Sequence, residues 1–411
     1  MGRLPAVAGG VPRFGRRVPV TRPTLATDAA LMTEIRTVLE SGMLTSARHV
    51  RAFEEEAAEF LGVADVVAVS SCTTGLMLTL RALGTTGDAV LPSFTFMATG
   101  HAAAWHGLTP VLADCDPSTY TLDTDSAAAA LTGDTGAVIG VHTFGVCCDA
   151  DTLHRHTEDR GIPLVLDAAH AFGARYPDGT MAGGKGIAEV FSLSPTKVLP
   201  AGEGGLVATR STALAADLRQ AREYGNPGDY DARMIGLNGR MTEINAVIGR
   251  AALRALPGRL AQRAELADRY RSRLAQLPGL GFQSVPDGAT STYKDFTVRI
   301  DAGRLGLTRG RLAAALDAEN IDTRTYFDPP LHTQTAYRTL ARRPTALPAT
   351  ESLSRTLLTL PLYSHMGVDT VDRICETIAE LHEHSRIINA AAGDARGTTE
   401  AAAAEGTVSA S

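Results

Sequence analysis

Lysine is nearly missing from this chain: 411 residues hold three, Lys185, Lys197 and Lys294, among 39 basic residues in all. Arginine carries the rest, and arginine cannot form a Schiff base, so each lysine invites a chemical explanation. Cysteine is sparse as well. Cys72, Cys115, Cys147, Cys148 and Cys375 are odd in number and none has zinc-ligand spacing, which argues against a disulfide framework or a zinc site and predicts reduced thiols. No apolar run is long enough to span a bilayer and no signal-peptide core is evident, so the chain is expected in the cytoplasm and away from membranes. A formal net charge of -6 removes any general attraction to nucleic acid or anionic lipid. There is no internal repeat.

What is present is the composition of a well-packed protein, 44% hydrophobic and 20% charged. A chain of this length predicts two domains. Residues 1–22 are rich in Gly, Pro and Arg and read as an N-terminal arm that lies over a partner; residues 387–411, mostly Ala, Thr, Glu, Gly and Ser, read as a disordered tail. Between them, short apolar runs alternate with helical patterns: Val66 to Ser70, Ala89 to Pro92, Pro110 to Asp114, Ala137 to His142, Pro163 to Asp167, Ala188 to Leu193 and Gly205 to Thr209. This alternation predicts a mostly parallel seven-stranded sheet in a large α/β domain over residues 23–255. A long helical stretch from Met241 to Tyr270 leads into a smaller α+β domain over 256–386, with a strand at Lys294 to Ile300 and a helix at Leu307 to Asn320.

Ligands of open parallel sheets bind at the carboxyl ends of the strands. The suggestive polar residues collect there: Ser70-Ser71-Cys72-Thr73-Thr74 after the first strand, Ser93-Phe94-Thr95-Phe96 after the second, Asp167 at the end of the fifth, and Ser192 to Lys197 at the end of the sixth. Each has a plain structural explanation. Ser71 or Thr73 would cap a helix, Asp167 would be another N-cap, Phe96 would be core packing, and Gly202-Glu203-Gly204-Gly205 a tight turn. A cap and an anion site are compatible, because the amides and dipole at a helix N-terminus favour a dianion. Of the lysines, Lys185 sits in a glycine-rich run and Lys294 in the second domain. Lys197, beside a strand end and a glycine turn, is the candidate for imine chemistry with pyridoxal phosphate, Asp167 then pairing with the pyridine nitrogen and Phe96 stacking on the ring.

In combination these segments resemble the DegT/DnrJ/EryC1/StrS aminotransferases, fold-type-I pyridoxal phosphate enzymes, over about residues 20–385. Supporting segments are Leu91-Pro92-Ser93-Phe94-Thr95-Phe96, Asp114-Cys115-Asp116-Pro117, Leu166-Asp167-Ala168-Ala169-His170-Ala171, Phe191 to Gly205, Gly236 to Met241, Pro330-Leu331-His332 and Leu360-Pro361-Leu362-Tyr363. The resemblance implies that Lys197 binds the cofactor and shuttles the proton, that Asp167 faces the pyridinium, and that His170 lies near the phenolic oxygen. It implies that Cys72, Thr73 and Ser192 hold the phosphate, that Asn238 reaches the phosphate of a neighbouring subunit in a homodimer with shared sites, and that His332 and Tyr326 lie near the substrate. Cys72 stands where the family usually has Gly, Gly239 where Tyr is common, and Asn245 where Gln is common.

The implied activity is transfer of an amino group from L-glutamate or L-glutamine to a keto sugar, with the cofactor alternating between pyridoxal and pyridoxamine phosphate. Ser194-Pro195-Thr196-Lys197 is more like the segment of 4-keto-sugar and cyclitol enzymes than the Tyr-Pro-x-Lys-Asn type of 3-keto-sugar enzymes. This favours a nucleotide-linked 4-keto-6-deoxyhexose, in amino sugar or natural-product biosynthesis. Gly9-Gly10-Val11-Pro12 is reminiscent of cyclitol relatives, so a ketocyclitol is the alternative. A noncatalytic cofactor-binding regulator or pairing partner is the alternative of another class.

Overall fold

The apolar runs are short, rich in Val, Leu and Ala, and carry no alternating polar face, which is what strands covered by helices on both sides require. The structure is a computed structural model and describes residues 3–390. In it the runs form β1 (Asp65–Val69), β2 (Asp88–Pro92), β3 (Thr109–Ala113), β4 (Thr135–Val141), β5 (Leu164–Asp167), β6 (Ala188–Ser192) and β7 (Gly205–Thr209), close to their predicted places. The sheet order is β1-β7-β6-β5-β4-β2-β3. β7 runs antiparallel to both its neighbours, and the other pairings are parallel. Val66 and Ala68 face one core and Val67 and Val69 the other, the period of two expected of a strand between two layers.

The smaller unit holds β8 (Leu280–Phe282), β9 (Phe296–Ile300) and β10 (Leu357–Leu360), antiparallel in the order β10-β9-β8. The predicted helical stretch divides into Glu243–Arg254 and Leu256–Leu274, with Ala255 between them and Pro257 in the first turn of the second, where its missing N–H is harmless. Leu256 is buried in the large core and Leu266 and Tyr270 in the small one, so this second helix ties the two cores together.

Both ends of the described chain pack on the smaller core. Phe14 and Val18 of the N-terminal arm are buried in the smaller core of their own chain, and Val18 N–H donates to Asn320 O at 2.8 Å. Buried Glu319 accepts from the Ala6 and Arg13 amides at 2.8 and 2.5 Å, anchoring an arm whose apolar residues are outnumbered in composition. At the other end, Ile388 is 2% exposed in the same core, so ordered packing continues past the expected boundary at 387. The rest of the tail lies outside the described residues. All five cysteines are free and buried. No helix among the described residues is long and apolar enough to cross a membrane.

Candidate active site

The Ser71 hydroxyl caps the helix Cys72–Ala82, accepting from Thr74 N–H at 3.1 Å. The amides of Cys72 and Thr73, in the first turn, have no helical acceptor and sit at the positive end of the helix dipole. Gly205 lets the sheet approach them. A Cβ there would lie 2.7 Å from the Cys72 nitrogen, so no other residue fits without displacement. Gly205 pairs with Ser192 across the β6–β7 ladder, which brings the Ser192 side chain to the same strand end. Cys72, Thr73 and Ser192 thus come to one strand end, at a helix N-terminus of the kind that favours an anion. Gly239 is tight too: a Cβ would meet Leu78, Arg222 and Thr74 at 3.1 to 3.2 Å, so the tyrosine common there has no ready space in this chain.

Asp167 ends β5 at 5% exposure. Thr99 Oγ1 donates to its Oδ2 at 2.7 Å and the Ala169 amide to its Oδ1 at 3.1 Å. No helix begins there, so Asp167 closes a turn and is not an N-cap. The Cys72 thiol lies 3.9 Å from Oδ1 and 3.5 Å from Val190 O. Burial and, after it, the Asp167 charge push this thiol well above the usual range, so it remains a protonated donor. The core-packing alternative for Phe96 is also corrected. Phe94 and Thr95 turn inward, whereas Phe96, just before the helix Met97–Trp105, is 53% exposed.

His170 accepts the Phe144 amide on Nδ1 at 3.2 Å and stacks on the Phe144 ring with centroids 6.2 Å apart. Burial, with the ammonium groups of Lys197 and Lys294 nearby, pushes its pKa well below 6.5. The imidazole is therefore neutral, and because Nδ1 is an acceptor the proton resides on Nε2. Lys197 follows β6, its amide closing a turn on Ser194 O at 3.0 Å. Burial first, and then the Lys294 ammonium, hold the Lys197 amine at about 8, against the opposing fields of Asp295 and Asp167.

The remaining candidates are less close-knit. His332 accepts or donates at 2.8 Å between Nδ1 and Ser93 Oγ and so is pinned to the end of β2. Tyr326 lies over Phe144 at 6.5 Å between centroids. Asn238 is exposed on a loop bridged to Glu223 and meets none of the others within its own chain. Four contributors were missed in the sequence: Thr99, Phe144, Thr292, whose hydroxyl donates to His170 O at 2.5 Å, and Lys294, set aside for lying in the second domain. Only Lys294 carried a signal, the scarcity that singled out Lys197.

The model of the DegT/DnrJ/EryC1/StrS aminotransferase family matches residues 26–379. A transaminase of Streptomyces venezuelae named for dTDP-3-amino-3,4,6-trideoxy-alpha-D-glucose is 35% identical, over 87% of this chain and 92% of its own. The spore coat polysaccharide biosynthesis protein SpsC of Bacillus subtilis is 33% identical, over 85% and 93%. The crystal structure of DesI in the presence of its TDP-sugar product superposes with a TM-score of 0.88 at 37% identity, covering 94% of this chain and 98% of that one. The family model over residues 26–379 and relatives at 33 to 37% identity across most of their length show that this chain belongs to the DegT/DnrJ/EryC1/StrS aminotransferase family.

Proposed function

We propose that this enzyme moves an amino group from L-glutamate or L-glutamine to the ketone of a nucleotide-linked 4-keto-6-deoxyhexose, releasing a keto acid and an amino sugar. The observation that carries the reading is a lysine amine held near 8 beside a buried aspartate and a helix N-terminus that favours an anion. Pyridoxal phosphate, the cofactor of this family, supplies a carbonyl to receive the amino group and a ring that draws electrons from the substrate Cα–H bond.

The chain's own residues account for the rest. Cys72, Thr73 and Ser192 would hold the phosphate, Asp167 would keep the ring nitrogen protonated, His170 Nε2–H would donate to the phenolic oxygen, and Phe96 would stack on the ring. Lys197 Nζ takes the proton from the donor Cα and later returns one to the former ketone carbon of the sugar, general acid–base transfer that typically contributes about 10²–10⁴-fold. The sugar class is supported by DesI and its TDP-sugar product, and the 4-keto position by Ser194-Pro195-Thr196-Lys197. His332 and Tyr326 border the acceptor side.

A homodimer with shared sites belongs to the same reading, Asn238 reaching the partner's phosphate. Its support is an apolar face: Trp105 is 78% and Ile235 71% exposed, around a groove of about 110 Å³ that Met77, Leu78 and Leu237 help to line. Trp105→Glu with Ile235→Glu is expected to halve the mass measured by light scattering, and an unchanged dimer would place the interface elsewhere.

The function is tested by the visible band of the cofactor-loaded protein. L-glutamate or L-glutamine should remove it, and a dTDP-4-keto-6-deoxyhexose should restore it with formation of the amino sugar. Restoration by a ketocyclitol alone would transfer the activity to aminocyclitol chemistry, and a band unmoved by any amine would leave a noncatalytic protein.

A further inference from the structure

The charge of a second of the three lysines, Lys294, is felt at Lys197. Lys294 arrives from the smaller unit through a segment that is pinned to the large one: Thr290 N–H donates to Arg175 O at 3.0 Å, Thr292 N–H to Gly145 O at 3.3 Å, and Thr292 Oγ1 to His170 O at 2.5 Å. Two residues further on, the Lys294 side chain is 4% exposed and its Nζ lies 2.8 Å from Asp295 Oδ1.

This buried ion pair is incomplete. An ammonium has three N–H donors, and one acceptor is present among the described residues. Asp295 Oδ2, also buried, has none at all. Burying charge with hydrogen-bonding capacity unused is costly, so the fold alone does not account for the arrangement. Arg263, another buried cation of this region, spends its Nε and Nη2 on the backbone: it donates to Thr292 O, Tyr293 O, Lys294 O and Leu362 O at 2.6 to 3.3 Å. Arg324 is exposed. The Lys294 charge is felt at Lys197 and His170, and the Asp295 charge at Lys197 and Tyr326.

We propose that Lys294, oriented by Asp295, receives the α-carboxylate of the amino donor. The inference rests on the aminotransferase reading above. An amino acid exchanges its nitrogen where Lys197 is attached, and its carboxylate is two bonds from that nitrogen. A cation beside Lys197 therefore meets the carboxylate, whereas the diphosphate of a nucleotide sugar lies a whole sugar ring away from the reacting carbon. Free N–H donors on an ammonium suit a carboxylate, and the bond formed is charge-assisted.

The test uses cofactor-loaded protein and the loss of its visible band as L-glutamate is raised. Lys294→Met, and the charge-free pair Lys294→Met with Asp295→Asn in case Asp295 left alone prevents folding, should raise the half-saturating glutamate roughly 10- to 100-fold. Lys294→Arg should restore it in part. Ethylamine, which lacks a carboxylate, should lose far less in the variants than glutamate does, its residual change following the Lys197 amine that the Lys294 charge holds down, and the KM for the sugar should rise less than the half-saturating glutamate. Glutarate, a dicarboxylate without an amine, should raise the unfolding temperature of loaded wild type and not that of the variants. Unchanged glutamate dependence, equal losses with ethylamine, or a rise in sugar KM instead would overturn the assignment, as would the effect appearing in Arg324→Gln. A wild type inert to every amine defeats the aminotransferase reading itself and takes this inference with it.

Discussion

Lys197→Ala is expected to remove the visible band that wild type forms with pyridoxal phosphate and to lower turnover by at least about 10⁴-fold, the upper range for loss of a positioned acid–base group. Two functions disappear together, the covalent hold on the cofactor and the carrier of the proton, so the loss exceeds that of either. The fold should persist, because the strand end at Cys72, Thr73 and Ser192 and the Asp167 contacts involve no atom of the Lys197 side chain. An intact band in the alanine variant would require another amine; Lys294, buried in its pair with Asp295, is the neighbour to test. The wild-type protein freed of cofactor offers a pH signature as well. With the folded amine at about 8 in place of the ordinary 10.5, the reactive free base grows about tenfold per unit as pH rises to 8 and then levels off. The rate of band formation should follow that curve. A rate still climbing steeply between 9 and 10 would mean that burial and Lys294 do not depress the amine.

The sheet was legible because its strands are apolar on both faces, as Val66 to Val69 illustrate, and because polar residues stop each run at the same end. The reversal of β7 was legible in principle. The stretch between Ser192 and Gly205 is too short to hold a crossover helix and also form the turn around Lys197, and short connections join antiparallel strands. Asp167 stood out from the sequence since it ends a strand beside small residues, and Lys197 since it follows a strand end and precedes a glycine turn. Lys294 did not, because its place depends on a tertiary clasp, Thr292 on His170 and Arg263 on four backbone carbonyls, that no local pattern encodes. His170 could be named from the motif, but its tautomer is set by the Phe144 amide, and Phe144 holds a left-handed φ of 57° that a phenylalanine rarely adopts. The packing of the arm on its own chain was not legible, because Phe14 and Val18 are individually apolar within a window whose average is not.

Asp167→Asn should lower kcat by about 10²–10³-fold while leaving the visible band in place, the scale of removing one oriented electrostatic stabiliser from a closed site. The carboxylate is held by Thr99 on one oxygen and by the Ala169 amide on the other, so it is fixed in direction before any ligand arrives. Asparagine retains an oxygen for Ala169, and the Thr99 hydroxyl can turn toward Thr95 Oγ1, 3.0 Å away. The structural cost is then that of one hydrogen bond, about 1 kcal/mol, against about 3–4 kcal/mol in the barrier. Stability and rate are therefore expected to separate, and Thr99→Val, which frees the carboxylate to turn without removing its charge, should fall between wild type and Asp167→Asn in kcat. If Asp167→Asn instead lost stability and activity in proportion, with the residual active fraction turning over at the wild-type rate, Asp167 would be a turn residue and the proton on the ring nitrogen would need another keeper.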